Sequence, residues 1–181
     1  MEKNTAYNYI GKLDTANWYA KISEFTREEW LECDWRQKRF NVHRHTETIP
    51  LIFNEESDIP IHTQRENYNY FLEEIEQLEH LFKNFYGPGF IVRLIIVKML
   101  SNATIPTHTD RGEILAICRR HHIPIITNEN VIFTVGGESK YMKLGEIWEI
   151  NNQLPHAVVN HGDKDRVHLI ADWITKKNEK N

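Results

Sequence analysis

Four residues in the second half of the chain have the types and spacing of a metal site with an adjacent anion site. His108 and Asp110 are two positions apart. On a β-strand such residues point the same way, so both can bind one metal ion. His156 can supply a third ligand, and Arg166 can hold an anionic cosubstrate. Two histidines and one carboxylate are the ligand set of non-haem Fe(II) oxygenases, because they leave the opposite coordination positions open for O₂, water and cosubstrate.

A basic pair lies between these ligands in the sequence. Arg120 and His122 alternate onto one face of a predicted strand and leave His121 on the other face. Both could be ordinary sheet residues. Two basic groups on one interior face repel each other, however, unless an anion lies between them. Our hypothesis is that such an anion binds there.

Two other histidines are predicted to lie outside the ligand set. His161 falls in a predicted turn, Asn160–Asp163, and is expected to face solvent. His168 shares strand parity with Arg166, so it is either a neighbour of the pocket or a histidine of the core.

The main site residues also have structural alternatives. His108 and Asp110 could cap a turn, and His156 could be an exposed loop residue. Arg166 could form a surface ion pair with Asp163 or Asp165. The ordered presence of all four residues favours the metal site over these separate explanations.

The predicted elements divide the chain into a partly helical first part and a sheet. Thr26 to Glu29 resembles a capping box that starts a short helix through Trp35, and a longer helix is predicted from Arg65 to Phe85, ended by Gly87. The hydrophobic pattern then predicts strands at residues 90–100, 118–126, 130–135, 139–144, 147–150, 157–160 and 166–173. Strands of this number and length close as sandwiches or barrels.

Composition restricts the protein's class. The chain has 181 residues and is 40% hydrophobic, which predicts one domain, 1–181, with a support region at 1–89 and a core sheet carrying the metal site at 90–175. Lys and Arg total 22 against 26 Asp and Glu, so bulk charge gives no support for nucleic-acid binding. The sequence contains no apolar run of the ~18 residues needed to span a membrane. Cys33 and Cys118 have no disulfide-framework spacing, so we expect a cytoplasmic protein.

The segment from about Ile105 to Trp173 resembles the aspartyl/asparaginyl β-hydroxylase family of Fe(II)- and 2-oxoglutarate-dependent dioxygenases. The resemblance rests on residues 108–110, 120–123, 145–148, 156–158, 166–170 and 172. It implies a mainly β fold, a double-stranded β-helix (a cupin-like jelly roll) with flanking N-terminal α-helices. It also implies Fe(II), 2-oxoglutarate and O₂ as cofactor and cosubstrates.

The same resemblance implies roles for the basic residues. Arg166 follows His156 by ten positions, as the basic cosubstrate residue does in this family, and would hold the distal carboxylate of 2-oxoglutarate. Arg120 and His122 match a basic pair that supports 2-oxoglutarate or the substrate. The family often has a small polar residue where this chain has Val97 to Met99, so the cosubstrate pocket is expected to differ in detail.

The substrate is the least determined part of the prediction. Mammalian peptidyl members lack the metal carboxylate, whereas Asp110 is present here, as in the related bacterial proline 3-hydroxylases. We expect hydroxylation of an unactivated C–H bond of an amino-acid residue, Asp/Asn β-hydroxylase-like, in a peptide or protein. Trp35, Arg36 and Arg44 are candidate substrate contacts, with Arg44 to Ile49 predicted as an edge strand.

Three alternatives stay open. The substrate could be a free amino acid such as proline, or another small molecule. The outcome could be desaturation, halogenation or cyclisation, although halogenases usually vacate the carboxylate position that Asp110 fills. A protein of a different class, a non-catalytic cupin-like module that binds a metal or a small acid, would keep the barrel without the reaction.

Overall fold

The computed structural model describes residues 5–54 and 60–176. In this part of the chain ten strands form: β1 (Tyr7–Lys12), β2 (Thr46–Ile52), β3 (Gly89–Met99), β4 (Thr104–His108), β5 (Arg119–Ile126), β6 (Val131–Val135), β7 (Glu138–Lys140), β8 (Glu146–Ile150), β9 (His156–Asn160) and β10 (Arg166–Thr175). The larger sheet has the order β1-β8-β5-β10-β3-β2, and the smaller sheet has the order β4-β9-β6-β7. Their pairings are antiparallel. This mainly β arrangement confirms the predicted fold class.

The helices flank the sheets. They are α1 (Ala16–Ser23), α2 (Arg27–Glu32), α3 (Trp35–Arg39), α4 (Leu72–Tyr86) and α5 (Glu113–Ile117), with 3₁₀ turns at Asn41–His43 and Glu66–Phe71. The predicted capping box is confirmed: the Thr26 side chain accepts a hydrogen bond from the Glu29 backbone N–H, and the Glu29 carboxylate accepts one from the Thr26 backbone N–H. The helix predicted to run on through Trp35 is instead two helices, because the chain leaves helical geometry at Cys33.

The longer predicted helix is present in modified form. Its first turn, from Glu66, is a 3₁₀ turn, and α-helical geometry begins at Leu72. Gly87 ends α4 with a φ of 83°, a conformation that favours glycine. The predicted strand at 139–144 is wrong in extent, since pairing in β7 stops at Lys140 and the chain then turns at Gly145 with a φ of 74°. The strand β1 and helices α1 and α5 were not predicted.

The α4 helix packs on the outer face of the larger sheet. Its apolar residues join the main hydrophobic core together with alternate residues of β10, namely Val167, Leu169, Ala171 and Trp173. The side chains between them in β10 belong to the opposite face, which looks into the space between the two sheets; these are Arg166, His168, Ile170 and Asp172. The apolar packing of one face therefore fixes which polar side chains point inward.

The first 89 residues also contribute to the larger sheet. Strands β1 and β2 form its two edges, so the predicted edge strand near Arg44 is present, beginning at Thr46 and extending to Ile52. Within the described residues no helix is long and apolar enough to cross a membrane.

Candidate active site

His108 and His156 are brought together by strand pairing. His108 is the last residue of β4, His156 is the first residue of β9, and the two are direct partners in the antiparallel ladder. Asp110 follows two positions after the end of β4, where its backbone N–H donates to the carbonyl of Asn152 at 3.2 Å. The expectation that His108 and Asp110 share one strand is therefore wrong for Asp110, which belongs to the loop after the strand. The turn nevertheless returns its carboxylate to the two rings.

The three side chains form a potential metal site. One ligand atom from each of His108, Asp110 and His156 lies within 4.8 Å of the others, and the described residues contain no second group of this kind. His108 Nε2 is 4.0 Å from Asp110 Oδ1, and His156 Nε2 is 3.8 Å from Asp110 Oδ2. The prediction of a single cluster from these positions agrees with this geometry.

Both imidazoles are held in the tautomer that suits a metal ligand. His108 Nδ1 lies 2.8 Å from the carbonyl oxygen of Pro106, and His156 Nδ1 lies 3.0 Å from that of Leu154. A carbonyl oxygen only accepts, so each Nδ1 carries a proton, and in the neutral ring Nε2 is then the nitrogen with the lone pair. Burial lowers the pKa of His156, which favours the neutral form that binds metal.

Arg120 supports the carboxylate ligand. Its Nη1 donates to Asp110 Oδ2 at 2.5 Å, while Nε and Nη2 donate to the two oxygens of the fully buried Asp172 at 2.8 and 2.7 Å. Burial opposes the charge, but the two carboxylates raise the pKa of Arg120 well above its ordinary value. The sequence hypothesis placed a bound anion beside Arg120 and His122. In the structure the protein itself supplies the anions beside Arg120.

Arg166, in contrast, is a buried cation that forms no ion pair with the residues that the structure describes. The side chain is 1% exposed, and among the described residues neither Nε nor Nη2 has a hydrogen-bond partner. Burial lowers the pKa of Arg166 to about 9. An unpaired buried charge is strongly unfavourable, so this guanidinium fits a bound anion that the chain does not provide.

Two buried imidazoles accompany Arg166. His122 Nδ1 and both ring nitrogens of His168 have no hydrogen-bond partner among the described residues, and the ring centroids are 5.9 Å apart. Burial, and after it the charge of Arg166, lowers the pKa of both rings well below the ordinary value. Neutral imidazoles keep one N–H donor each. His122 and His168 therefore place ring nitrogens without a partner among the described residues within the electrostatic reach of Arg166.

The ligands and basic residues share one cavity between the sheets. His108, Asp110, His156, Arg120, His122 and Arg166 all line it, and it holds about 430 Å³ of empty space, part of it open to solvent. The remaining wall is His43 and the apolar side chains of Val97, Ile105, Phe133, Val158 and Ile170. Of the stretch Val97 to Met99, where the resemblance led us to expect a pocket that differs in detail, Val97 lines this wall, so the pocket is apolar at that point.

The mouth of the cavity contains a residue that the sequence did not indicate. His43, at the end of a 3₁₀ turn, packs edge-on against the ring of His108 with centroids 5.8 Å apart. Its sequence neighbours carry no motif, so only the fold reveals it. Of the candidate substrate residues, Arg44 donates from Nε to His45 at 2.9 Å, and the side chains of Trp35 and Arg36 lie outside the described residues. His161 is exposed in its turn, as expected.

Comparison with known structures defines the class of this fold. A 2-oxoglutarate–Fe(II) oxygenase family oxidoreductase from Burkholderia pseudomallei superposes with a TM-score of 0.58 at 15% identity, covering 93% of this chain and 95% of that one. HygX from Streptomyces hygroscopicus, solved with nickel and 2-oxoglutarate bound, also gives a TM-score of 0.58, at 10% identity, covering 95% of this chain and 84% of that one. The fold is that of the 2-oxoglutarate oxygenases.

Sequence comparison gives the family. The profile of the Aspartyl/Asparaginyl beta-hydroxylase family matches residues 19–176, so the chain belongs to that family. A curated relative, the L-proline cis-4-hydroxylase of Rhizobium meliloti (strain 1021), is 23% identical over 164 residues, which cover 91% of this chain and 54% of the relative. The chain thus spans about half the length of that relative.

Proposed function

We propose that the protein is an Fe(II)- and 2-oxoglutarate-dependent dioxygenase that hydroxylates an unactivated C–H bond of an amino acid. The observation that carries this proposal is the pairing, in one cavity, of a complete two-histidine, one-carboxylate ligand set with a buried and unpaired Arg166. A metal site alone would need only the ligand set and not the unpaired arginine. An adjacent cation without a counterion calls for a dianionic cosubstrate such as 2-oxoglutarate.

The residues have separate tasks in this scheme. His108, Asp110 and His156 would hold Fe(II), which when bound supplies the redox chemistry that couples O₂ and 2-oxoglutarate to oxidation of a C–H bond. Arg166 would bind the distal carboxylate of 2-oxoglutarate through Nε and Nη2, which have no hydrogen-bond partner among the described residues. His122, whose Nδ1 is unpartnered, would donate to the same cosubstrate. The apolar wall, including Phe133 and Ile170, excludes water around the reacting groups.

The overall reaction is balanced and uses both atoms of O₂, as in a dioxygenase. Substrate C–H, 2-oxoglutarate and O₂ give substrate C–OH, succinate and CO₂. One oxygen atom enters the hydroxyl group and the other enters succinate. Asp110 fills the ligand position that halogenases leave for a halide, which supports hydroxylation over halogenation.

For the substrate we propose a free amino acid first and an Asp- or Asn-containing peptide second. The match to a proline cis-4-hydroxylase over 91% of this chain supports the free amino acid, and the presence of Asp110 in the ligand set is consistent with it. This order reverses our expectation from the sequence, in which a peptide came first. The peptide alternative keeps its support from the family's description.

The proposal is tested by measuring succinate formation after anaerobic purification and addition of Fe(II) and 2-oxoglutarate. Separate reactions contain proline and the other free amino acids, or a pool of Asp- and Asn-containing peptides. Stimulation by the amino acids supports the first substrate class, and stimulation by the peptides supports the second. No succinate from protein that binds metal and 2-oxoglutarate would contradict an enzymatic function and favour the cupin-like binding module.

A further inference from the structure

A row of alternating charges leads from the metal ligands toward the outside of the barrel. Asp110 is paired with Arg120 and Arg120 with Asp172, while Arg93 Nε lies 3.6 Å from Asp172 Oδ2. Arg120 and Asp172 are buried, and the Arg93 side chain is 20% exposed. The buried middle of the row, Arg120 and Asp172, therefore lies between two partly exposed ends, Asp110 at 10% and Arg93 at 20% side-chain exposure.

The two carboxylates hold Arg120 differently. Asp172 accepts two parallel hydrogen bonds, from Nε and Nη2, which fixes the plane of the guanidinium. The remaining arm, Nη1, then points at one oxygen of Asp110 only, Oδ2. Oδ1 lies 4.0 Å from His108 Nε2, and Oδ2, which accepts from Arg120, lies 3.8 Å from His156 Nε2.

We propose that Arg120 is a positioning residue that makes Asp110 bind the metal through a single oxygen, and that Asp172 holds Arg120 in place for this task. The inference rests on the proposed function, because it concerns the same metal site. With one lone pair of Oδ2 engaged by Arg120, metal binding through both oxygens is disfavoured, and Oδ1 is the oxygen left to bind the metal. This would leave one more coordination position of the metal open for cosubstrate and O₂.

The negative charge of Asp172 offsets the positive charge of Arg120 beside the metal site. A guanidinium so close to the site would repel a divalent cation, but two hydrogen bonds from Arg120 to a fully buried carboxylate offset its charge. Arg166 shows the contrast within the same cavity, since no described carboxylate pairs with it and it is the cation left for a bound anion. Arg120 therefore holds the carboxylate that would bind the metal, whereas Arg166 would bind the cosubstrate.

The first test measures Ni(II) affinity by isothermal titration calorimetry, without 2-oxoglutarate or turnover. We expect Arg120→Gln to bind Ni(II) about 10- to 100-fold more weakly than the wild type, the range found when a residue that supports a metal ligand is lost. The matched control is Arg119→Gln. Arg119 is the preceding residue, on the opposite face of β5, and pairs with Glu149, so its replacement should leave Ni(II) affinity unchanged. Equal or tighter binding by Arg120→Gln would overturn the proposal, because Arg120 would then be neutral or a competitor for the carboxylate.

The second test asks whether Arg120 acts through Asp110. In an Asp110→Asn background, where the two imidazoles still bind Ni(II), the further change Arg120→Gln should have little effect on affinity. A loss as large as in the wild-type background would refute the positioning role.

Two further controls distinguish a folding defect, and a failure of the proposed function, from a failure of this inference. If Arg120→Gln fails to fold, the double variant Arg120→Gln/Asp172→Asn removes both partners of the buried ion pair and is measured instead, with the same expected loss. A wild-type protein that binds no Ni(II) would overturn the metal site and this inference together. Normal wild-type binding with an unaffected Arg120→Gln would overturn this inference alone and leave the proposed function standing.

Discussion

His108 and His156 are direct cross-strand partners in the ladder between β4 and β9, and their ring centroids lie 4.3 Å apart. Residues 48 positions apart in sequence thus become neighbours through strand register alone. In a sheet, a slip of one residue would send one of the two rings to the other face. The metal site depends on the correct register of the smaller sheet, and Asp110 completes it from the loop that follows.

Replacement of Asp110 tests the ligand set. Asp110→Ala should abolish turnover and weaken Ni(II) binding by more than the about 10- to 100-fold that loss of a merely supporting residue causes. Metal titration and succinate formation measure the two effects. Asp163→Ala, an exposed aspartate in a turn, is the control and should behave as wild type. Full turnover by Asp110→Ala would remove Asp110 from the metal ligands.

Replacement of Arg166 should raise the stability of the ligand-free protein and weaken its binding of 2-oxoglutarate. Arg166→Met keeps the volume but removes an unpaired buried charge, so the ligand-free protein should gain about 1–3 kcal/mol in its free energy of unfolding by urea. The same variant should lose the rise in melting temperature that 2-oxoglutarate gives in the presence of Ni(II). Arg27→Met, at an exposed position of α2, should change neither quantity by much. A 2-oxoglutarate shift as large as that of the wild type would refute the role of Arg166.

Buried neutral histidines should make the protein sensitive to mild acid. Burial lowers the pKa of His121 to about 4 and that of His168 well below its ordinary value. Below pH 6.5 the unfolded chain takes up protons that the folded chain does not, so stability falls as the pH falls from 6.5 toward 4, by about 1.4 kcal/mol per pH unit for each such group. His168→Leu should make this slope shallower without loss of a hydrogen bond, since neither ring nitrogen has a partner among the described residues.

The acid prediction is checked by urea unfolding of ligand-free protein at pH 7, 6 and 5. His161→Gln, at an exposed turn, serves as control and should keep the wild-type slope. An unchanged slope in His168→Leu would mean that His168 is protonated in the folded protein.

A second buried network should matter for stability but not for the metal. Glu149 is 3% exposed and accepts hydrogen bonds from Asn8, Tyr86 and Arg119. Glu149→Ala removes these three hydrogen bonds and should lower the free energy of unfolding by about 2–4 kcal/mol. Glu79→Ala, which breaks a surface ion pair with Lys83, should lower it by less than about 1 kcal/mol. Urea titrations measure both, and weaker Ni(II) binding by folded Glu149→Ala would contradict the separation of the two networks.

The sequence was sufficient to predict most of the sheet. Strands such as β3 and β10 are long, apolar and rich in β-branched residues, so their hydrophobic pattern predicts them well. β1 is short and mixed in character, and its pairing with β8, 134 or more positions away in sequence, gives no local signal. The extent of β7 depends on where its partner stops pairing, which is also a property of the fold.

The site was predicted less evenly. The ligand residues and Arg166 stand at recognisable spacings, whereas the role of Arg120 depends on which carboxylate reaches it. Its partner Asp172 is 52 positions away, and the β5–β10 register places the two side by side. Sequence spacing could show that Arg120 faces the interior but not that protein anions already occupy its hydrogen-bonding edge. The same limit applies to His43, which reaches the cavity through a turn without a motif.

Each ring of the candidate metal site takes its orientation from the backbone next to it, since His108 and His156 both donate from Nδ1 to the carbonyl two residues earlier. For His108 that carbonyl belongs to β4, and for His156 it belongs to the turn that leads into β9. Side chains elsewhere in the barrel can be exchanged over evolutionary time without turning either ring away from the metal. This gives a physical reason why a substrate pocket could diverge widely while the catalytic centre beside it stays usable, and why relatives with such a centre can share so little sequence.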